Sequence, residues 1–199
     1  MNSGNGGARL TWWRLLLHKS AHKSLQGALL TMSTLPAIAT GEVVDVGTYG
    51  FTSEHQVVLK ATPAQSYSAF VDSIPAWWDA AHSYGGDASK FSLDARAGGC
   101  FCESLDGGGS VEHMRVARLS ANKHIVLRGG LGPLLDMGVS GSMSFDFAEH
   151  DAGTLLTYRY VVGGYVQDGL QAMAQPVDQV QLGQLQRLQQ FVATGRALN

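Results

Sequence analysis

The stretch "GGCFCESLDGGGSVEHMRV", residues 98–116, places two runs of strand-forming residues on either side of a glycine-rich tip. Its centre, "DGGG", has the length and composition of a hairpin connection. Because side chains alternate along a strand, Cys100 and Cys102 share one face of the first run, and Phe101 and Glu103 share the other. The stretch therefore predicts a β-hairpin whose two faces differ in chemistry.

Further strand patterns lie on both sides of this hairpin. They are "FTSEHQVVLKA" (51–61) and "FSLDA" (91–95) before it, and "KHIVLRG" (123–129), "VSGSMSFDFAEH" (139–150) and "GTLLTYRYVVGG" (153–164) after it. Short turns such as "SANK" and "EHDAG" join them, whereas "GLGPLLDMG" is longer and apolar, and we expect it to fold over the protein. The pattern predicts about six or seven antiparallel strands.

One or two short helices are predicted after the first of these strands. In "TPAQSYSAFVDSIPAWW", Thr62 can cap a helix whose first turn contains Pro63. Pro75 ends this helix or starts a second one that carries Trp77 and Trp78. Neighbours on a helix point about 100° apart, so we expect one of the two tryptophans to be fully buried.

A long helix is predicted at the end of the chain. Asp168 can cap its start, Pro176 would kink or divide it, and Gly195 stands where a helix stop is expected. We expect Gly183 to allow close packing on the sheet. The apolar stripe at spacings of three and four comprises Leu170, Met173, Val177, Val180, Leu185, Leu188, Phe191 and Val192.

These elements predict an α+β fold in which a curved antiparallel sheet wraps around the long C-terminal helix. The sheet must bury one face, and the helix is its natural cover. The space between them is either filled by side chains or kept as a pocket. We assign this domain to residues 42–199.

Residues 1–41 differ in composition from the rest. A basic stretch without acids, "ARLTWWRLLLHKSAHKS", precedes an uncharged one of roughly 15 residues, "LQGALLTMSTLPAIA". This order is typical of a secretory signal peptide and predicts a periplasmic or secreted protein with no stable membrane span after processing. The alternatives are a disordered or mis-started N-terminus on a cytoplasmic protein, and an amphipathic surface helix.

The composition limits the possible functions. Of the 199 residues, 45% are hydrophobic and 15% charged, and the formal net charge is −2. These values are typical of a globular domain. Beyond residue 23 the sequence contains no long Lys/Arg run of the kind that indicates binding to nucleic acid. Two cysteines are too few for a disulfide scaffold.

The segments "IPAWWDAA", "GGCFCE" leading into "GGGSVEHMRV", and "ANKHIVLRG" appear in an order that resembles the START-like (SRPBCC) superfamily. The likeness covers about residues 52–193 and is greatest to the branch related to polyketide cyclases and to the chaperone-ATPase activator Aha. It implies a helix-grip fold with a hydrophobic tunnel that holds lipids, sterols, polyketides or other apolar molecules. Catalytic residues differ between its subfamilies, so the resemblance assigns none here.

The sequence therefore predicts binding of a small apolar molecule between sheet and helix, without a metal or cofactor. The residues expected at this cavity are Trp77, Trp78, Cys100, Cys102, Met114, Arg128, Phe145 and Tyr158. One alternative is a cyclase- or hydratase-type enzyme that uses an inward histidine or glutamate as general base. The other is a chaperone-associated interaction protein, although the export-like N-terminus opposes that role.

The two cysteines are expected to remain unbonded. Same-face residues of a regular strand lie about 6.5–7 Å apart, so a Cys100–Cys102 disulfide needs a distorted strand. If the turn centres between residues 107 and 108, Cys102 lies opposite His113, and a slip by one residue replaces His113 with Glu112. The first register would form a Cys-Cys-His cluster, but no C-x-x-C pair supports zinc binding.

Glu112 and His113 are adjacent and should face opposite ways, so at most one of them points inward. An inward Glu or His needs a polar partner. His55, His82, Arg128 and Tyr158 are the candidates.

Overall fold

The computed structural model describes residues 40–196, and their side chains from Glu42 onward. Residues 1–39, which carry the signal-peptide-like pattern, lie outside the described residues. No helix in the described range is long and apolar enough to cross a membrane.

One antiparallel sheet contains all the strands of the described range. In chain order they are β1 (Thr40–Gly47), β2 (Gly50–Leu59), β3 (Phe91–Leu93), β4 (Cys100–Ser104), β5 (Ser110–Ser120), β6 (His124–Gly129), β7 (Ser140–His150) and β8 (Gly153–Gly163). Their order across the sheet is β1-β2-β8-β7-β6-β5-β4-β3. The seven predicted strands all occur, and β1 adds an edge strand that the sequence patterns did not predict.

Helices cover one face of this curved sheet. They are α1 (Pro63–Asp72), α2 (Ile74–Trp77), α3 (Pro133–Asp136) and α4 (Gln171–Thr194). The predicted start of α1 is confirmed: the Thr62 side chain accepts from the backbone N–H of Gln65, whose side chain accepts from the Thr62 N–H. The long helix on an open antiparallel sheet confirms the predicted α+β, helix-grip architecture.

Both tryptophans after α1 are buried, with 3% of Trp77 and 7% of Trp78 exposed. The expectation that only one would be buried was wrong because it assumed a continuing helix. Helix α2 ends at Trp77, and Trp78 has an extended backbone. Their indole N–H groups donate to the carbonyls of Ala69 and His82, each at 3.1 Å.

The C-terminal helix differs from its prediction in three details. It runs through Pro176 without dividing, and Leu170 rather than Asp168 occupies its N-cap position. A Cβ on Gly183 would meet nothing within 4 Å, so this glycine does not serve close packing. The predicted stop is confirmed, because Gly195 adopts a left-handed conformation with φ 72°.

Buried polar groups join α4 to β2. Ser53 Oγ donates to Asp178 Oδ1 at 2.6 Å, and His55 Nε2 lies 2.8 Å from the same oxygen. All three residues are buried. Asp178 therefore fixes the helix to the sheet through polar contacts as well as through apolar packing.

The β4–β5 hairpin contains a β-bulge. Phe101 pairs with Met114, but Cys102 pairs with Glu112, which leaves His113 as the extra residue on β5. Each of the two expected registers therefore holds on one side of the bulge. The extra residue explains why His113 and Met114 are adjacent and both buried, while Glu112 is exposed.

A disulfide joins Cys100 to Cys102, so the expectation of unbonded cysteines was wrong. That expectation assumed a regular strand. At this bulge the two Cα atoms are 5.4 Å apart, within the range that a disulfide accepts. The Cys-Cys-His cluster does not form, because Cys102 lies opposite Glu112 and His113 faces the interior.

Candidate functional site

A cleft of about 440 Å³ opens beside the first half of α4. The helix supplies one wall through Met173, Pro176, Val177, Val180 and Gln181. This wall is apolar except for the amide of Gln181. It is the N-terminal half of the stripe that the helical spacing predicted.

Two other segments complete the cleft. One runs from Trp78 through residues 81–84 after α2, and the other is residues 131–136, at the start of the long β6–β7 connection. The Tyr84 hydroxyl donates to the Gly132 carbonyl at 3.1 Å and so joins these two segments. The apolar "GLGPLLDMG" connection thus folds over the protein, with Leu134 fully buried.

Helix α4 also positions the segment after α2. Gln184 Oε1 accepts from the Asp79 N–H at 3.0 Å, and Arg187 Nε donates to the Trp77 carbonyl at 2.9 Å. These two hydrogen bonds hold the backbone on either side of Trp78 against α4. The position of Trp78 relative to the helix is therefore fixed. Glutamine suits this contact because its amide oxygen satisfies a backbone donor without a buried charge.

The Glu103 carboxylate holds the next part of that segment. Its Oε1 accepts from Ser83 Oγ and the Gly85 N–H, each at 2.7 Å, and its Oε2 accepts from the Tyr84 N–H at 3.0 Å. Burial raises the pKa of Glu103. Hydrogen bonds from Ser83, Gly85, Tyr84 and His113 together lower this pKa by more than burial raises it, so the net shift is downward. An ionised carboxylate therefore orders the loop that forms one wall of the cleft.

His113 is the fourth partner of Glu103, with Nε2 3.1 Å from Oε2. Burial lowers the pKa of His113 more than the contact with Glu103 raises it, which favours a neutral ring. A carboxylate only accepts, so Nε2 carries the proton and Nδ1, which is buried without a partner, is the bare nitrogen. The ring stacks on Phe91 with centroids 4.9 Å apart.

Tyr160 holds the opposite wall. Its hydroxyl donates to the Gly129 carbonyl at 3.2 Å and accepts from the Leu131 N–H at 3.3 Å. Burial raises the pKa of Tyr160 to about 12, so the phenol stays protonated and keeps both bonds near neutral pH. The start of the 131–136 segment is thereby fixed to the sheet.

The space directly beneath α4 is nearly filled. A void of about 20 Å³ remains there, and Trp77, Phe145 and Leu185 are among the residues around it. The larger cleft therefore lies at one end of the helix rather than along its length. Cleft and void share Trp78 and Gln181.

The eight residues predicted at a cavity occupy four kinds of place. Trp78 lines the cleft, and Trp77 and Phe145 border the small void. Met114 and Tyr158 are fully buried in the core.

The other three, Cys100, Cys102 and Arg128, lie on the sheet face away from α4. In the β4–β5–β6 ladder Cys100 pairs with Arg115, and Arg115 pairs with Arg128. Both arginines are exposed, whereas the alternate residue Phe101 is buried. The cysteines were expected inside because they are small and apolar. Side chains alternate along β4, however, and the larger Phe101 side chain faces the interior, so the two cysteines face the other way.

Sequence reasoning missed Glu103, Tyr84 and Asp136 as residues at or behind the cleft. For Glu103 a signal was present, because it alternates with the cysteines and shares the face of Phe101. Tyr84 and Asp136 lie on connections, where no periodicity indicates a direction.

The fold and the cleft can be compared with known proteins. The chain has a helix-grip fold. EF2215 from Enterococcus faecalis, a conserved protein of unknown function, has this fold with a TM-score of 0.55 and 14% identity, over 80% of each chain. MLL2253 from Mesorhizobium loti gives a TM-score of 0.52 and 18% identity, over 74% of this chain and 99% of its own.

DynU16, a protein in the dynemicin biosynthetic locus, gives a TM-score of 0.51 and 16% identity over 73% of this chain and 48% of its own length. No protein-family model matches the sequence, and no curated protein matches it. At these identities the likeness extends to the fold alone.

Proposed function

We propose that the protein binds a small, mainly apolar molecule in the cleft beside α4. The observation that carries this proposal is the cleft itself, about 440 Å³ in volume and lined mostly by apolar and aromatic side chains. Pockets that hold drug-sized ligands have volumes of about 300–1,000 Å³ and a similar lining. Burying ~200 Å² of apolar ligand surface contributes about 5 kcal/mol before the costs of association. Micromolar binding requires about 8 kcal/mol, so it needs a larger buried apolar surface together with contacts to the polar groups of the cleft.

The cleft has few polar side chains. His82, Ser83, Tyr84, Asp136 and Gln181 lie among the apolar lining. Such groups orient a ligand, while the apolar walls supply most of the affinity. Membership of the SRPBCC superfamily, with polyketide-like or lipid-like ligands, is the finer form of this proposal, and the fold shared with DynU16 supports it.

An environment-sensitive dye tests the proposal. N-phenyl-1-naphthylamine is a neutral probe whose fluorescence rises in apolar surroundings. We expect saturable, micromolar binding by the wild-type protein. Val180→Trp places an indole in the cleft, whereas Gln179→Trp adds the same ring at the exposed neighbouring position of the same helix.

We expect Val180→Trp to weaken dye binding about tenfold or more and Gln179→Trp to leave it within about twofold of the wild type. Thermal unfolding of both variants shows whether each is folded. Absence of saturable binding to the wild type, or equal binding to the two folded variants, contradicts the proposal.

A further inference from the structure

The permanently charged side chain in the described lining of the cleft is negative. Among the described residues that line it, Asp136 supplies a carboxylate, and neither lysine nor arginine is present. A second carboxylate, Glu103, lies behind the wall formed by Ser83 and Tyr84. The described lining thus offers negative charge to a bound molecule and no permanent positive charge.

Both carboxylates act on the same side chain of the wall. Burial, then the charge of Asp136 and then that of Glu103 raise the pKa of Tyr84. The Tyr84 N–H donates to Glu103 Oε2 at 3.0 Å, and its hydroxyl donates to the carbonyl of Gly132, in the same segment as Asp136. Lys90 is the cation that lies in range of Glu103, and its Nζ is already paired with Asp106 at 2.5 Å.

Glu103 keeps its charge because its partners do not neutralise it. It accepts hydrogen bonds from a hydroxyl, from two backbone N–H groups and from His113, whose ring is favoured in its neutral form. Hydrogen bonds of this kind stabilise a carboxylate without removing its field. Glu103 therefore remains an ionised acid directly behind the Ser83–Tyr84 wall of the cleft.

Aromatic rings add to the attraction for a cation. Trp78 and Tyr84 both line the cleft. The faces of such rings carry a negative quadrupole that attracts ammonium and guanidinium groups. Carboxylate and aromatic groups together form the usual chemistry of a site for an organic cation.

We propose that the cleft selects ligands in which a positively charged group, such as an ammonium, is attached to an apolar body, and that Asp136 is the residue that sets this selectivity. The inference rests on the proposed function and specifies its ligand class. The apolar body occupies the helix-lined part, and the cation lies near Asp136 and the rings of Trp78 and Tyr84. A carboxylate or sulfonate in the same position is repelled.

A matched series of naphthalenes tests this inference by displacement of N-phenyl-1-naphthylamine. The members are 2-naphthylmethylamine as the cation, 2-naphthylmethanol as the neutral form and 2-naphthoate as the anion. His82 also lines the cleft, so all three compounds are compared at one fixed pH of about 7.5. We expect the wild type to bind the amine roughly fivefold to tenfold more tightly than the alcohol, and the anion most weakly.

Two substitutions locate the effect. Asp136→Asn should lower the ratio of amine to alcohol affinity about threefold or more, and the smaller preference supplied by Glu103 and the two rings should remain. Asp151→Asn removes the same charge from the β7–β8 turn, at the other end of β7 from α3, and should leave that ratio within about twofold of the wild type. Rising salt should lower the wild-type ratio, because an exposed carboxylate is screened.

The outcomes separate the two proposals. If no member of the series displaces the dye, the proposed function fails and the inference fails with it. If the alcohol binds but the amine binds no more tightly, the proposed function is supported and the inference about cation selectivity is overturned. An amine-to-alcohol ratio that Asp136→Asn leaves unchanged likewise overturns the role of Asp136.

Discussion

His113 Nε2 lies 3.1 Å from Glu103 Oε2, and the bulge on β5 is what brings the imidazole to the interior at this point. The pair connects the sheet to the loop that lines the cleft, because Glu103 also holds Ser83, Tyr84 and Gly85. A local irregularity of one strand thus positions a wall of the candidate site.

Glu103→Gln should destabilise the protein by about 2–4 kcal/mol. An amide replaces one acceptor oxygen with an NH₂ group, which then opposes donors such as the Gly85 N–H. The measurement is urea unfolding, combined with dye binding to show whether the wall of the cleft loosens.

Glu112→Gln is the matched control for Glu103→Gln. Glu112 is an exposed carboxylate on the same hairpin, paired with Arg115. Its loss should cost less than about 1 kcal/mol. Equal effects of the two substitutions would show that the loop does not depend on Glu103.

Acidification should destabilise the protein in two stages. Burial lowers the pKa of His113 below its ordinary value of 6.5. As the pH falls through 6.5, the imidazole therefore takes up a proton in the unfolded chain but not in the folded protein, and the free energy of unfolding falls. The pKa of Glu103 is also lowered, so its contribution is present above its ordinary 4.5 and is lost as pH falls through the lower folded value.

Unfolding free energies measured from about pH 8 to about pH 2.5 test both stages. His113→Asn removes the imidazole and should flatten the curve between about pH 7 and pH 5. His150→Asn changes an exposed histidine and should not. If His113→Asn still loses stability near pH 6, another titrating group is responsible for that loss.

The arrangement of strands was predictable, but the contacts across them were not. The stretch "VSGSMSFDFAEH" forms the predicted strand, and its alternation places Met143, Phe145 and Phe147 on one face, where all three are buried. A bulge adds one residue without changing local composition, so the sequence pattern carries no sign that His113 is the extra residue. The prediction that at most one of Glu112 and His113 faces inward was confirmed, because His113 is buried and Glu112 is exposed.

The cleft was predicted at the correct helix but not at the correct place. The apolar stripe predicted which side of α4 is buried, and Trp78 was expected at the cavity. The remaining walls come from residues 81–84 and 131–136, which meet through the Tyr84–Gly132 contact over 48 positions of sequence. Contacts between loops depend on where the strands end in space, and periodicity does not encode that.

The disulfide predicts that the native protein lacks free thiols at Cys100 and Cys102. Alkylation with iodoacetamide under denaturing, non-reducing conditions should leave both cysteines unmodified, and prior reduction by a dithiol should expose both. Mass spectrometry of the peptide that contains them gives the answer. Modification of both cysteines without reduction would exclude the bond.

Gly183→Ala should stabilise the protein by about 1 kcal/mol. Glycine costs backbone entropy within a helix, and a Cβ at this position meets nothing within 4 Å. Gly99→Ala provides the contrast, because its Cβ would lie 1.9 Å from the Asp94 carbonyl oxygen. Thermal unfolding should place the two variants on opposite sides of the wild type, and a destabilised Gly183→Ala would mean that the helix packs more tightly there.

Asp178→Ala should destabilise the protein by about 3–5 kcal/mol, because it leaves the buried Ser53 hydroxyl without its acceptor and removes the carboxylate that lies 2.8 Å from His55 Nε2. The effect should exceed that of an ordinary surface acid. Asp168→Ala is the control, since Asp168 is exposed and does not cap α4. If Asp178→Ala and Asp168→Ala unfold at the same urea concentration, apolar packing alone holds α4 on β2, and the polar contacts between them add no stability.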